Sequence, residues 1–320
     1  MIGEQRKENV TLSLVVPCYN EQETLPIFIK ELHETINRLK DVQVEVILIN
    51  DGSVDETLSV IRELASKYDD CRYISFSRNF GKESAMFAGF EASQGDYVAV
   101  MDADLQDPPS LLPEMLKAVR EEGYDCAGTR RINREGEPPV RSLFANIFYW
   151  IINKLSDTQL VSGARDYKLL SRKAVDALLS MPEKNRFSKG LYEWIGFHTK
   201  WFEYENIERS AGVTKWSFWR LFKYSIDGLV AFTTLPLALA SLLGMTCTVI
   251  SLVMIVALII RQLIWQASVD GWTSMACIIL LLSGLNMFCI GVIGQYIAKM
   301  YAEVKSRPHY IIAEKSSKLQ

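Results

Sequence analysis

The sequence predicts an α/β domain built on a mostly parallel sheet, followed by two membrane-crossing helices. Three observations predict it. From residue 12 onward, short apolar runs alternate with amphipathic segments at the spacing of βαβ units. One such run, residues 97–101, leads straight into three carboxylates, Asp102, Asp104 and Asp107. Residues 228–260 and 271–298 contain no charged side chain, and each stretch exceeds the ~20 apolar residues needed to cross a bilayer.

Taken in order, residues 12–18 form an apolar run that reads as a buried first strand, leaving through Tyr19-Asn20-Glu21 into a helix over 23–39. Residues 44–49 are a second buried strand, delivering Asn50-Asp51-Gly52-Ser53. Asp55 is placed to cap the next helix, which runs to Tyr68. Residues 72–77 make a third strand, followed by Arg78-Asn79-Phe80-Gly81-Lys82 and a helix to Ala92. The fourth strand, 96–101, ends at the carboxylates, where Pro108 and Pro109 stop it and start a helix over 111–121. A short strand at 125–128 follows. A basic loop then carries Arg130, Arg131, Arg134 and Arg141, of which Arg131 and Arg134 read as solvated or lipid-facing. Residues 143–155 suit either an interfacial amphipathic helix or a core helix. Residues 172–179 look helical and 194–205 strand-like. Residues 216–226 interleave aromatics with Arg220 and Lys223, as the headgroup region favours. The domain boundary is expected near Asp227, giving a domain over 1–227 and a two-helix hairpin with a short basic tail over 228–320.

Ligands of an open α/β sheet bind beyond the carboxyl ends of its strands. Asp102 and Asp104 stand there, two residues apart and so able to share a face. A bare Asp-x-Asp arises by chance about once in a chain this long; the buried strand before it and the Gln106-Asp107-Pro108-Pro109 behind it make the pattern specific. Two hard oxygen donors beside substrate phosphates suit Mg²⁺ or Mn²⁺. Glu21, Asp51 and Asp102 each close a strand, where an acid commonly binds ribose or base. Arg130, Arg141, Arg209 and Lys215 are candidates for phosphate, donor or acceptor, because a guanidinium forks onto phosphate oxygens.

Composition narrows the classes. A net charge of −3 gives no basic footprint for nucleic acid. No secretory signal opens the chain, and the six cysteines have neither metal-ligand nor disulfide spacing. Neither a G-x-G-x-x-G nor a P-loop is present, which disfavours dinucleotide and ATP chemistry. Lysines and arginines flank the outer ends of the hairpin and are sparse in its turn, so the positive-inside rule predicts both termini in the cytoplasm.

Val16-Pro-Cys-Tyr-Asn-Glu21, Asn50-Asp-Gly-Ser53, Arg78-Asn-Phe-Gly-Lys82, the 101–109 string and Arg165-Asp-Tyr-Lys-Leu169 come in one order. That order resembles the GT-A fold, family 2 glycosyltransferases. More narrowly the chain resembles the polyprenyl-phosphate sugar transferases, the dolichol-phosphate mannose synthases and bacterial bactoprenol glucosyltransferases. The resemblance implies inverting transfer of a hexose from a nucleotide-sugar, a UDP-sugar by the two-span tail, to undecaprenyl phosphate at the bacterial inner membrane. It implies that Pro17, Tyr19, Glu21, Asp51, Lys82 and Asp102 surround the nucleotide. Asp102, Asp104 and Gln106 would bind the metal, and Asp166 would be the catalytic carboxylate, orienting the acceptor or stabilising the sugar cation. A flippase and a downstream transferase are expected partners by analogy, and self-association is compatible with it. A processive polysaccharide synthase would carry Gln-x-x-Arg-Trp and more spans, neither of which is present. A non-catalytic lipid-binding anchor would have a decayed acidic cluster, whereas this one is complete.

Overall fold

A computed structural model of the protein describes residues 10–131, 154, 161, 163–181, 183–204, 233–265 and 271–317. Among them, eight strands form one sheet: β1 (Val10–Cys18), β2 (Val42–Asn50), β3 (Cys71–Phe76), β4 (Tyr97–Val100), β5 (Cys126–Arg131), β6 (Ala164–Ser171), β7 (Thr199–Tyr204) and β8 (Ile312–Lys315). Their spatial order is β7-β5-β6-β4-β1-β2-β3-β8. β1 pairs in parallel with both β2 and β4, β2 with β3, and β5 with β7. β6 and β8 run antiparallel to their neighbours. The sheet is mostly parallel, as the sequence predicts.

Side chains alternate across each strand, and the two faces bury separate cores. Leu12, Leu14 and Val16 of β1 face α1 (Leu25–Ile36), α2 (Thr57–Lys67) and α4 (Leu112–Glu121). Val15 faces the other way, toward α3 (Lys82–Ala92), α5 (Arg172–Leu179) and α6 (Ser188–Trp194). α3 lies very close to β1: a Cβ on Gly89 would sit 2.0 Å from Val15 Cγ1. That contact fixes the start of α3, and Lys82 with it.

Two segments differ from the sequence reading. Residues 194–205 are not all extended, because Trp194 ends α6. Gly196, at φ +68°, turns the chain out of the helix before β7 begins at Thr199. Residues 164–171 are a central strand. Asp166 and Lys168 break its apolar run, so the sequence hides a strand that is buried on both faces. The segments 143–155 (save Lys154) and 216–226, and the boundary at Asp227, lie outside the described residues.

α7 (Leu235–Trp265) and α8 (Trp272–Val304) are long and apolar enough to cross a membrane, with 18-residue windows 6% and 0% buried. At 1.5 Å per residue, 31 and 33 residues outrun a hydrocarbon core of about 30 Å. The chain then returns to the sheet. β8 adds to β3, Glu314 takes two hydrogen bonds from Arg62 at 2.9 and 2.5 Å, and Tyr73 donates to it at 2.5 Å.

A second tie binds α1 to the turn before β3. His33 Nδ1 lies 2.8 Å from the Ile29 carbonyl, and Nε2 lies 3.1 Å from Asp70 Oδ2. Both ring nitrogens therefore face acceptors, a geometry that only imidazolium satisfies. The hydrogen bond to Asp70 raises the His33 pKa; burial opposes it, and the Ile29 carbonyl adds to the rise. The folded pKa is above the unfolded one, so this stabilisation is complete below about pH 6.5 and disappears as pH rises through the folded value. We expect the wild-type protein to lose about 1 kcal/mol between pH 6 and pH 9, and Asp70→Asn to lose little of it, in denaturation series at the two pH values.

Candidate active site

β4 and β6 set the centre of the site. Their antiparallel register pairs Tyr97 with Ser171 and Val100 with Lys168. Two residues after Val100 and two before Lys168, Asp102 and Asp166 come together at the sheet's end, both in contact with one lysine. Lys82, on the first turn of α3, fills the space between them. Its Nζ lies 2.6 Å from Asp102 Oδ1, 2.8 Å from Oδ2 and 2.5 Å from Asp166 Oδ2. Burial alone would lower the Lys82 pKa, but the two carboxylates outweigh it and hold the ammonium well above the ordinary lysine value. Burial would likewise raise Asp166, but Lys82, then Lys189, hold it well below the carboxylate range. Lys189 Nζ is 4.0 Å from Asp166 Oδ1.

The neighbours of Asp166 in sequence turn elsewhere. Arg165 projects to the opposite face and binds Asp107, Nε to Oδ1 at 2.9 Å and Nη2 to Oδ2 at 3.3 Å. Tyr204 also donates to Asp107, which is fully buried. Lys168 shares a face with Asp166 but pairs with Glu193 at 3.2 Å, between the Tyr192 and Trp201 rings.

The acidic string folds into a tight turn. Leu105 takes φ 58°, a left-handed conformation costly for a branched side chain. Asp104 Oδ1 accepts the Gln106 N–H at 3.2 Å. Gln106 Oε1 faces two guanidiniums, Arg131 Nη2 at 3.2 Å and Arg165 Nη2 at 3.5 Å. Asp102 and Asp104 carry carboxylate oxygens of the kind Mg²⁺ or Mn²⁺ prefers, and both Asp102 oxygens face Lys82. Gln106 is instead turned to the arginines.

The remaining expected residues cluster at the adjoining strand ends. Asp51 is buried, and Oδ1 accepts the Phe80 N–H at 2.7 Å while Oδ2 accepts the Gly81 N–H at 3.0 Å. Burial pushes its pKa up to about 6, against the pull of those two N–H groups and of Arg78. Asp51 thus holds the loop that delivers Lys82. Gly52, at φ +60°, lets that loop close over it: a Cβ there would lie 2.1 Å from the Arg78 backbone. Asn20 and Ser53 interlock the first two loops, with Asn20 N–H to Ser53 Oγ at 3.0 Å. Glu21 accepts the Thr24 hydroxyl at 2.5 Å, Pro17 pairs with Ile49 inside the sheet, and Tyr19 is 37% exposed. The sequence places Asp55 as the cap of α2; the N-cap position is instead Glu56, and Asp55, one residue earlier, accepts the Thr57 N–H at 3.1 Å.

The structure therefore gathers Lys82, Asp102 and Asp166, with Asp51 supporting them. Arg130 instead pairs with Glu203 on the β5–β7 edge. Arg141, Arg209 and Lys215 lie outside the described residues. Sequence reading missed Lys189 and the Asp107–Arg165–Tyr204 cluster. It took Arg131 as solvated or lipid-facing, whereas Arg131 reaches Gln106. No local pattern marks these contacts, because Asp107 and Arg165 are 58 residues apart.

The glycosyl transferase family 2 profile matches residues 13–179, which hold Asp51, Lys82, Asp102, Asp107, Arg165 and Asp166; Lys189 and Tyr204 lie beyond its end. Over 306 residues the chain is 46% identical to CsbB of Bacillus subtilis, named as a glycosyltransferase, covering 95% of this chain and 91% of that protein. The chain belongs to glycosyltransferase family 2. Other members are similar over nearly the full length. The bactoprenol glucosyl transferase of Shigella phage SfX is 38% identical over 94% of this chain and 98% of its own. A Mycobacterium tuberculosis glucosyl-3-phosphoglycerate synthase structure aligns with a TM-score of 0.47 at 20% identity, covering 69% of this chain and 78% of that one, a likeness too slight to bear on substrate or metal.

Proposed function

We propose that this family 2 enzyme moves a hexosyl group from a UDP-sugar to a polyprenyl phosphate, with inversion, at the cytoplasmic face of a bacterial inner membrane. One observation carries the reading. The likeness to the bactoprenol glucosyl transferases does not stop at Leu179, where the family profile ends, but continues through both long apolar helices. An isoprenoid acceptor stays in the bilayer with its phosphate at the surface, and an enzyme that charges it must sit there. The return of β8 to the sheet supports this reading, since two crossings would bring the tail back to the side of the catalytic domain.

In this reading an acceptor phosphate oxygen attacks the anomeric carbon. The bond from that carbon to the nucleoside diphosphate breaks, and the diphosphate leaves with the electron pair. The phosphate is already anionic at neutral pH, so it needs placing rather than deprotonating. Asp166, held ionised, is suited to stabilise positive charge on the sugar and is a poor proton acceptor. Lys82 places a cation between Asp102 and Asp166, where it can neutralise diphosphate charge. Asp102 and Asp104 would hold a divalent cation, which supplies charge neutralisation to the departing diphosphate. Tyr19, Glu21 and Asp51 would line the base and ribose.

Calorimetric titration tests the donor class: UDP should bind more tightly than GDP in the presence of Mg²⁺. Equal or tighter binding of GDP would refute the uridine assignment.

A further inference from the structure

The last turn of α8 is hydrogen-bonded to the loop that leads into α6. Glu303 Oε1 accepts the backbone N–H groups of Lys184 at 2.8 Å and Asn185 at 3.1 Å. Lys299 Nζ donates to Asn185 Oδ1 at 2.8 Å. The chain beyond α8 then grips α3 and β3. The His309 ring lies 4.5 Å from Phe87, Tyr310 stacks on Phe76 at 4.7 Å, and the Tyr310 hydroxyl donates to Glu91 at 2.6 Å.

The same loop runs on into the catalytic cluster. The Arg186 guanidinium lies 4.6 Å over Phe87 of α3. The Ser188 N–H donates to both Glu83 oxygens at 3.1 Å, and the Ser188 hydroxyl donates to Oε2. Glu83 is the residue after Lys82. Lys189, next in the chain and in the first turn of α6, donates to the Ala164 carbonyl at 3.0 Å and stands 4.0 Å from Asp166. The main chain of residues 184–189, hydrogen-bonded to the end of α8 at one end and to Glu83 at the other, therefore connects α8 to the two lysines beside Asp166.

We propose that Glu303 and Lys299 are positioning residues, through which the seating of the second long helix sets where Lys189 and Lys82 stand against Asp166. The inference rests on the lipid-phosphate transfer reading above. One carboxylate oxygen accepting consecutive main-chain N–H groups is a short, charge-assisted tether. Displacements of about 1 Å at such a centre cost up to about a hundredfold in rate.

The test uses the full chain in lipid nanodiscs. Glu303→Ala is expected to lower kcat about tenfold and to raise donor KM by less, because Lys82 is shared with the donor diphosphate while Tyr19, Glu21 and Asp51 sit on other loops. Glu303→Gln keeps a carbonyl oxygen for both N–H groups and should stay within about threefold of wild type. Rates are normalised to UDP-binding stoichiometry, which removes any effect of lost folded protein. Should Glu303→Ala not fold, Lys299→Met takes its place, with an expected loss of about threefold in kcat and a smaller rise in KM. Hydrogen exchange over residues 184–190 reads the tether without substrate and should quicken in these variants. A wild-type kcat, a matching rise in donor KM, or unchanged exchange would each overturn the proposal. Absence of transfer by the wild-type protein would refute the transfer reading, while the exchange measurement still decides the tether.

Discussion

Asp104→Ala is expected to reduce transfer by about a thousandfold or more, and added Mg²⁺ or Mn²⁺ should not restore it. The side chain stands just past β4, two residues from Asp102, and its hydrogen bond to the Gln106 N–H, at 3.2 Å, is local to the turn. Removing it should therefore leave the melting temperature nearly unchanged. Asp107, three residues on, gives the contrast. It is fully buried and bound by Arg165 and Tyr204, and breaking such a pair costs about 3–5 kcal/mol. Asp107→Asn should fail by unfolding, Asp104→Ala by losing chemistry. Initial rates against metal concentration, beside thermal denaturation, separate the two. A folded Asp104→Ala variant with full activity in Mg²⁺ would remove Asp104 from the metal assignment.

Asp166→Asn is expected to lower kcat by about a hundredfold or more. The pH profile distinguishes what is lost. Burial raises the Asp166 pKa, but Lys82 and Lys189 together bring it well below the ordinary carboxylate range. A group with a depressed folded pKa stabilises the fold above its unfolded value of about 3.9 and loses that contribution as pH falls. Between pH 5 and 9 it does not titrate. The wild-type kcat should show no limb there that vanishes in Asp166→Asn. A limb near neutrality that disappears with the substitution would make Asp166 a general base instead.

Much of this was legible in the chain because burial and chemistry alternate along it. The first four strands are apolar runs with polar ends, and Asp51 and Asp102 stand at two of those ends. The family strings gave Asp166 its expected role. Its partner could not be read locally: Lys82 is 84 residues away and reaches Asp166 only because β6 runs antiparallel to β4 and α3 packs on β1 at Gly89. β8 escaped for a related reason. A four-residue segment with two charges has no strand signature by itself, and it becomes a strand because β3 offers an open edge. Arg131 was misjudged because alternation along β5 turns it toward Gln106 while Arg130 turns to Glu203.

Transfer to a lipid phosphate can be measured directly. Purified protein with Mg²⁺, undecaprenyl phosphate and a panel of radiolabelled nucleotide-sugars tests it most directly. Label from one UDP-sugar should move into the organic phase, and only when both the lipid phosphate and the metal are present. Folded, metal-loaded protein that moves label from no donor, or moves it equally without the lipid phosphate, would contradict it.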